Sequence, residues 1–114
     1  MKARIPKNAG GAQNMNQMIR QAQKMQEQIT ELQADIEARE FTATAGGGVV
    51  EVTLNGKKEI KTLNLKPEVV DPEDIETLQD LIIAAINEAV SNIEATTETE
   101  MSKITGGVPI PGMI

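Results

Sequence analysis

The apolar residues Met15, Met18, Ala22, Met25, Ile29, Leu32 and Ile36 recur at alternating intervals of three and four. A strict repeat of 3.5 residues keeps one apolar seam along a helix, and that seam needs a covering partner. Ile19 widens it at its start. The spacing predicts a helix of roughly 25 residues, about 37 Å long. It is expected to start near Asn14, with Gln17 completing a capping box. One reading packs this face on the chain's own sheet. The length and strict repeat favour a helix of a second copy as well, with Met18, Met25, Ile29 and Leu32 as candidate dimer residues. The flanking positions are mostly Gln, so they do not set the orientation of that pairing.

Strand patterning follows. Phe41, Ala43 and Ala45 alternate with Thr42 and Thr44, and Val50, Val52 and Leu54 alternate with Glu51, Thr53 and Asn55. Gly46-Gly47-Gly48 separates the two, and Asn55-Gly56 marks a hairpin into a third strand, about Lys58 to Lys66, that ends before Pro67. In that strand Ile60 has the opposite parity to Leu63 and Leu65. Either a bulge lies near Lys61 and Thr62, or both faces of the sheet are partly covered.

A second helix is expected from an Asp71 cap, with Pro72 at its first position, Glu73 and Asp74 at the positive end of its dipole, and Val70 stapled onto Ile75. Its apolar band includes Ile75, Leu78, Leu81, Ile82, Ala85, Ile86, Ala89 and Ile93, with Ile83 and Val90 on a neighbouring stripe. That band is wider than one small sheet covers, which makes Ile83, Ile86 and Val90 further candidates for a dimer interface. Beyond Ile93 only Met101 and Ile104 continue the pattern, so the last three turns are expected to project into solvent until Gly106-Gly107. The expected fold is α+β in the order α-β-β-β-α. Residues 1–13 read as a flexible basic arm, 14–105 as one domain and 106–114 as a flexible Gly/Pro tail.

Composition removes most chemistries. The 114 residues include no Cys, His, Trp or Tyr, and Phe41 is the one aromatic residue. That excludes thiolate zinc sites, cysteine nucleophiles, imidazole general bases and Ser-His-Asp triads. The acidic group Asp71, Glu73, Asp74 and Glu76 is explained by helix capping, and the three glycines lack the Lys-Ser/Thr and the helix of a phosphate loop. No enzymatic activity, cofactor, metal or small-molecule substrate is expected. No run is apolar for long enough to cross a membrane, and the N-terminus lacks the apolar core of a secretory signal, so the expected location is the cytoplasm.

The net charge of −6 conceals a polarity. Lys2, Arg4, Lys7, Arg20 and Lys24 give residues 1–26 a charge of +5 with no acid, whereas residues 27–114 carry all 17 acids against six bases, net −11. Screening over about 8 Å keeps two such regions electrostatically separate. A dimer that brings two basic segments together has the charge for salt-dependent binding to duplex phosphates. Base stacking on single strands is excluded by the lack of aromatics. The competing reading is a dimeric adaptor whose acidic second helix docks a protein partner from the replication or recombination machinery, because residues 73–103 carry eight acids and one base.

The segments QAQKMQEQ (21–28), AGGGVVEVTLNG (45–56), LQDLIIAAINEAV (78–90) and GGVPIPGM (106–113) resemble the YbaB/EbfC family of bacterial nucleoid-associated proteins in order and spacing. The resemblance implies a homodimer with helices projecting like tweezer arms. It also implies duplex DNA as partner, a role in nucleoid organisation or gene regulation, and a bacterial cytoplasmic location. By that resemblance, basic residues on the projecting helices contact DNA, which would be Arg20 and Lys24 on the first helix and Lys103 on the last. The acidity of the last helix moves the expected contacts towards Lys2, Arg4, Lys7, Arg20 and Lys24.

Overall fold

The computed structural model describes residues 4–106, with side chains from Asn14 onward. Helix α1 spans Arg4–Ala38, strands β1, β2 and β3 span Glu40–Ala45, Val50–Asn55 and Ile60–Leu65, and helix α2 spans Ile75–Thr105. This is the α-β-β-β-α order that the patterning predicts. The helix starts ten residues before the expected Asn14 cap and runs through Gly10 and Gly11, each of which costs a helix about 1 kcal/mol relative to Ala.

The sheet is antiparallel in the order β1-β2-β3. Phe41, Ala43 and Ala45 pair with Leu54, Val52 and Val50, and alternation sends all six side chains to one face. Helix α2 lies on that face across β1 and β2. Val50, Val52 and Leu54 are completely buried there together with Ala85 and Ala89. Each of the three larger side chains contributes about 1.5–3 kcal/mol of hydrophobic stabilisation, and the alanines on α2 let the helix approach the sheet.

The parity conflict in β3 is resolved by a bulge. Thr53 pairs with Thr62 and Leu54 with Ile60, so Lys61 is the extra residue. The bulge puts Ile60 on the same face as Leu63 and Leu65, opposite Leu54, Val52 and Val50. All three nevertheless remain exposed, because α2 does not extend over β3. The other face of the sheet is polar, with Thr42 hydrogen-bonded to Thr53 at 2.9 Å.

Two turns use glycine for different reasons. Gly46, Gly47 and Gly48 all have positive φ (63°, 72° and 98°), which L side chains rarely adopt, so they turn β1 into β2 at little steric cost. Gly56 needs no left-handed backbone. The residue in that conformation is Lys58 (φ 68°), and Asn55 Oδ1 organises the turn by accepting from the N–H groups of Lys57 and Glu59. A Cβ on Gly56 would lie 2.0 Å from the Ile36 carbonyl oxygen, so glycine lets the hairpin seat against the end of α1.

The start of α2 differs from expectation by three residues. Asp74 is the cap and accepts from the Thr77 N–H, while Asp71 accepts from the Glu73 N–H in a turn ahead of the helix. Both Val70 and Ile75 are exposed, so no staple forms between them. The larger correction lies at the other end. Instead of projecting freely, the last turns of α2 bury Met101 and Thr105 and pack against α1. The radius of gyration is 23.4 Å, against about 13 Å for a compact chain of this length, because α1 continues well past that contact.

Candidate nucleic-acid interface

Helix α1 is divided by its contacts. Ile29 and Ile36 are buried and Leu32 is half-buried, lying in a shallow recess with Gln28, Glu31, Asp35 and Ile104. Ile29 and Leu32, expected at a dimer interface, therefore serve the chain's own α1–α2 pairing. Arg39 reinforces that pairing. Its guanidinium donates to both carboxylate oxygens of Glu100 at 2.6 and 2.8 Å and to Asp35 at 2.8 Å. These hydrogen bonds hold the carboxyls of Glu100 and Asp35 below their ordinary values and raise the pKa of Arg39.

Toward its N-terminus the same helix stands clear. Arg20 and Lys24 are exposed one turn apart and border a shallow depression with Gln17 and Gln21. At 100° per residue they sit about 200° and 240° around the axis from Met18, so the basic face and the Met15–Met25 seam look in nearly opposite directions. No acid occurs on α1 before Glu27, after which Glu31, Asp35 and Glu37 follow. The charge boundary thus coincides with the contact boundary.

The remaining expected residues are dispersed. Arg4 and Lys7 fall in the first turns of α1, where only the backbone is described, and Lys2 lies outside the described residues, as do residues 107–114 of the expected tail. Lys103 is exposed on α2 but borders a depression that includes Glu100. Four bases escaped the sequence reading: Lys57, Lys58, Lys61 and Lys66, all exposed on the β2–β3 hairpin and the β3 edge. Their signal is four lysines in ten residues with one acid, Glu59. Lys58 is tied to Glu94 at 3.1 Å, and lysines on an edge strand also discourage edge-to-edge pairing.

An elongated helix with Arg20 and Lys24 exposed on one face offers electrostatic contact to a polyanion. The model of the YbaB/EbfC DNA-binding family matches residues 11–108. The chain belongs to that family. A nucleoid-associated protein of Clostridium acetobutylicum is 54% identical to it over 98% of both chains. Another, of Thermoanaerobacter pseudethanolicus, is 48% identical over 90% of this chain and 93% of its own. Among solved structures, an uncharacterised protein of Helicobacter pylori shares the family's fold with a TM-score of 0.67 at 23% identity, covering 80% of this chain and 96% of that one. No helix among the described residues is long and apolar enough to cross a membrane.

Proposed function

We propose that the protein is a homodimeric, nucleoid-associated protein that binds duplex DNA through backbone phosphates, with Arg20 and Lys24 as its central contacts and Lys2, Arg4 and Lys7 extending them. The observation that carries this reading is the projecting half of α1, which exposes Arg20 and Lys24 and has no acid before Glu27. Lys103 is at most peripheral, because eight acids share its helix region. Nothing in this arrangement reads base edges, so binding tolerates sequence and any preference arises from DNA shape.

The dimer is supported by a second feature. Residues Ala84, Glu88 and Asn92 line the flank of α2 beside β1. Ile83, Ile86 and Val90 fall on the opposite flank, toward β3, whose apolar residues Ile60, Leu63 and Leu65 are uncovered. One continuous apolar surface on a small protein is characteristic of an interface. Burying it twice in a two-fold contact covers β3 and sets two basic arms on one body.

Duplex binding measured across a salt series tests the DNA contact. Log affinity should fall steeply with log salt, and Arg20→Gln/Lys24→Gln should reduce the slope by about 2 to 4 per dimer. An unchanged slope would remove these residues from the interface. Leu63→Glu, at a site exposed in the single chain, should give folded monomers in sedimentation. A variant that remained dimeric would place the interface elsewhere.

A further inference from the structure

The two edges of the sheet are not alike. Strand β3 carries the bulge at Lys61, has Lys58 and Lys66 beside it, and meets Pro67 just past its end. Bulges, lysines and proline are the devices that keep a free strand edge from pairing. Strand β1 has the same length and none of them. Its six residues, Glu40–Ala45, pair with β2 in unbroken register and include no Lys, Arg or Pro. Because β1 stands at the end of the strand order, every second residue turns its N–H and C=O away from β2, where no described strand receives them.

This open edge borders a groove. Thr42, Ala43 and Thr44 line one side, and Ala84, Glu88 and Asn92 of α2 line the other. Four residues along a helix advance about 6 Å, and two along a strand about 6.7 Å. Alternate side chains of an added strand therefore fall in step with Ala84, Glu88 and Asn92. Glu88 is exposed and has no ion-pair partner among the described residues. Glu40, at the start of β1, is also exposed, and the neighbouring Arg39 is engaged by Glu100 and Asp35.

We propose that the free edge of β1 receives an extended segment of another protein as a fourth strand, with a Lys or Arg of that segment against Glu88. Backbone hydrogen bonds supply the attachment, and the groove selects alternate side chains: a small or apolar one over Ala84, the base at Glu88, a hydrogen-bonding one at Asn92. A second copy of β1 fits less well. It brings no base to the groove, and a two-fold strand pair sets the two acidic α2 flanks side by side. The site lies on the flank of α2 away from Ile83, Ile86 and Val90, so the dimer leaves it open, and it does not depend on DNA binding.

Amide chemical shifts of the isotope-labelled whole chain, titrated with the blocked heptapeptide Thr-Val-Thr-Lys-Thr-Ser-Thr, test this. Shifts should be confined to Glu40–Ala45 and to residues 84–92 of α2. The same peptide with Glu in place of Lys should bind at least about threefold more weakly, and Glu88→Lys, at an exposed site, should reverse that order. A peptide methylated on its backbone nitrogens should not bind, because it cannot complete the ladder. Absent shifts at β1, shifts at β3 or around Arg20 and Lys24 instead, binding that survives methylation, or a preference that Glu88→Lys leaves unchanged would each overturn the proposal. So would edge amides of β1 that exchange more slowly as the concentration of peptide-free protein rises, which would assign the edge to a second copy.

Discussion

The two halves of α1 share one heptad repeat and differ in everything that surrounds it. Around Ile29, Leu32 and Ile36 the seam is covered by α2 and the Gly56 hairpin, the neighbouring charges are acidic, and Arg39 bonds to Glu100. Around Met15, Met18 and Met25 the seam is open to solvent and the charges are basic. Periodicity fixes the face of a helix but not what the face meets. One half holds the fold together, whereas the other presents charge at a distance from an acidic body.

The sharpest way to break this contrast is to put one charge into each half. Ile36→Asp buries a carboxylate without a partner and should cost roughly 3–5 kcal/mol, enough to unfold much of a small domain. Met18→Asp, at an exposed site, should change global stability by less than about 0.5 kcal/mol. Urea denaturation followed by circular dichroism measures both. Similar losses would mean that the N-terminal half is as much a part of the folding unit as the C-terminal half. The same logic redirects charges at Ile29 or Leu32, whose first effect should be on folding rather than on dimerisation.

Next in size is Gly56→Ala. The added methyl has to displace the backbone of Ile36 and Glu37 rather than a flexible side chain, and it should cost about 2–3 kcal/mol by overpacking. Gly47→Ala is the contrast. Nothing lies near its Cβ, so only the left-handed backbone opposes it, at about 1 kcal/mol. If Gly56→Ala proved the milder of the two, the seating of the hairpin on α1 would be wrong.

These sites also show how far the sequence could be read. Strand faces were legible because alternation is a local signal, and even the uneasy parity at Ile60 pointed to the bulge now placed at Lys61. Asn55-Gly56 announced a hairpin, but the reason for glycine there is a contact with α1 some twenty residues away, which no local pattern carries. The cap of α2 lies three residues beyond the first candidate because Asp71-Pro72-Glu73-Asp74 contains two capping aspartates, and the first closes a turn on its own. The burial of Met101 was invisible because two apolar residues in three turns look solvent-facing until a second helix is laid beside them. Of the candidate site, charge segregation singles out Arg20 and Lys24, and the structure exposes both on the projecting half of α1. The lysines of the β2–β3 hairpin were lost in the acidic average of the region that holds them.

The smallest expected effect concerns the link that ties α1 to α2. Glu100 and Asp35 titrate below the ordinary carboxylate range because Arg39 donates hydrogen bonds to their ionised forms. A carboxyl with a depressed folded-state pKa stabilises the fold fully above its unfolded value, near pH 4, and loses that contribution as pH falls further and the group protonates. The groups lie near the surface, so solvent and salt screen the effect. Glu100→Gln should therefore lower the urea midpoint slightly at pH 7, and the difference from the parent protein should begin to shrink once the pH falls below about 4 and go on shrinking as Glu100 protonates. The DNA affinity of the arm should change little, because Arg20 and Lys24 lie more than 10 residues from the link along α1. A marked loss of DNA binding at unchanged stability would instead show that the Arg39–Glu100 pair sets the angle of the arm, coupling the two halves that the contact pattern separates.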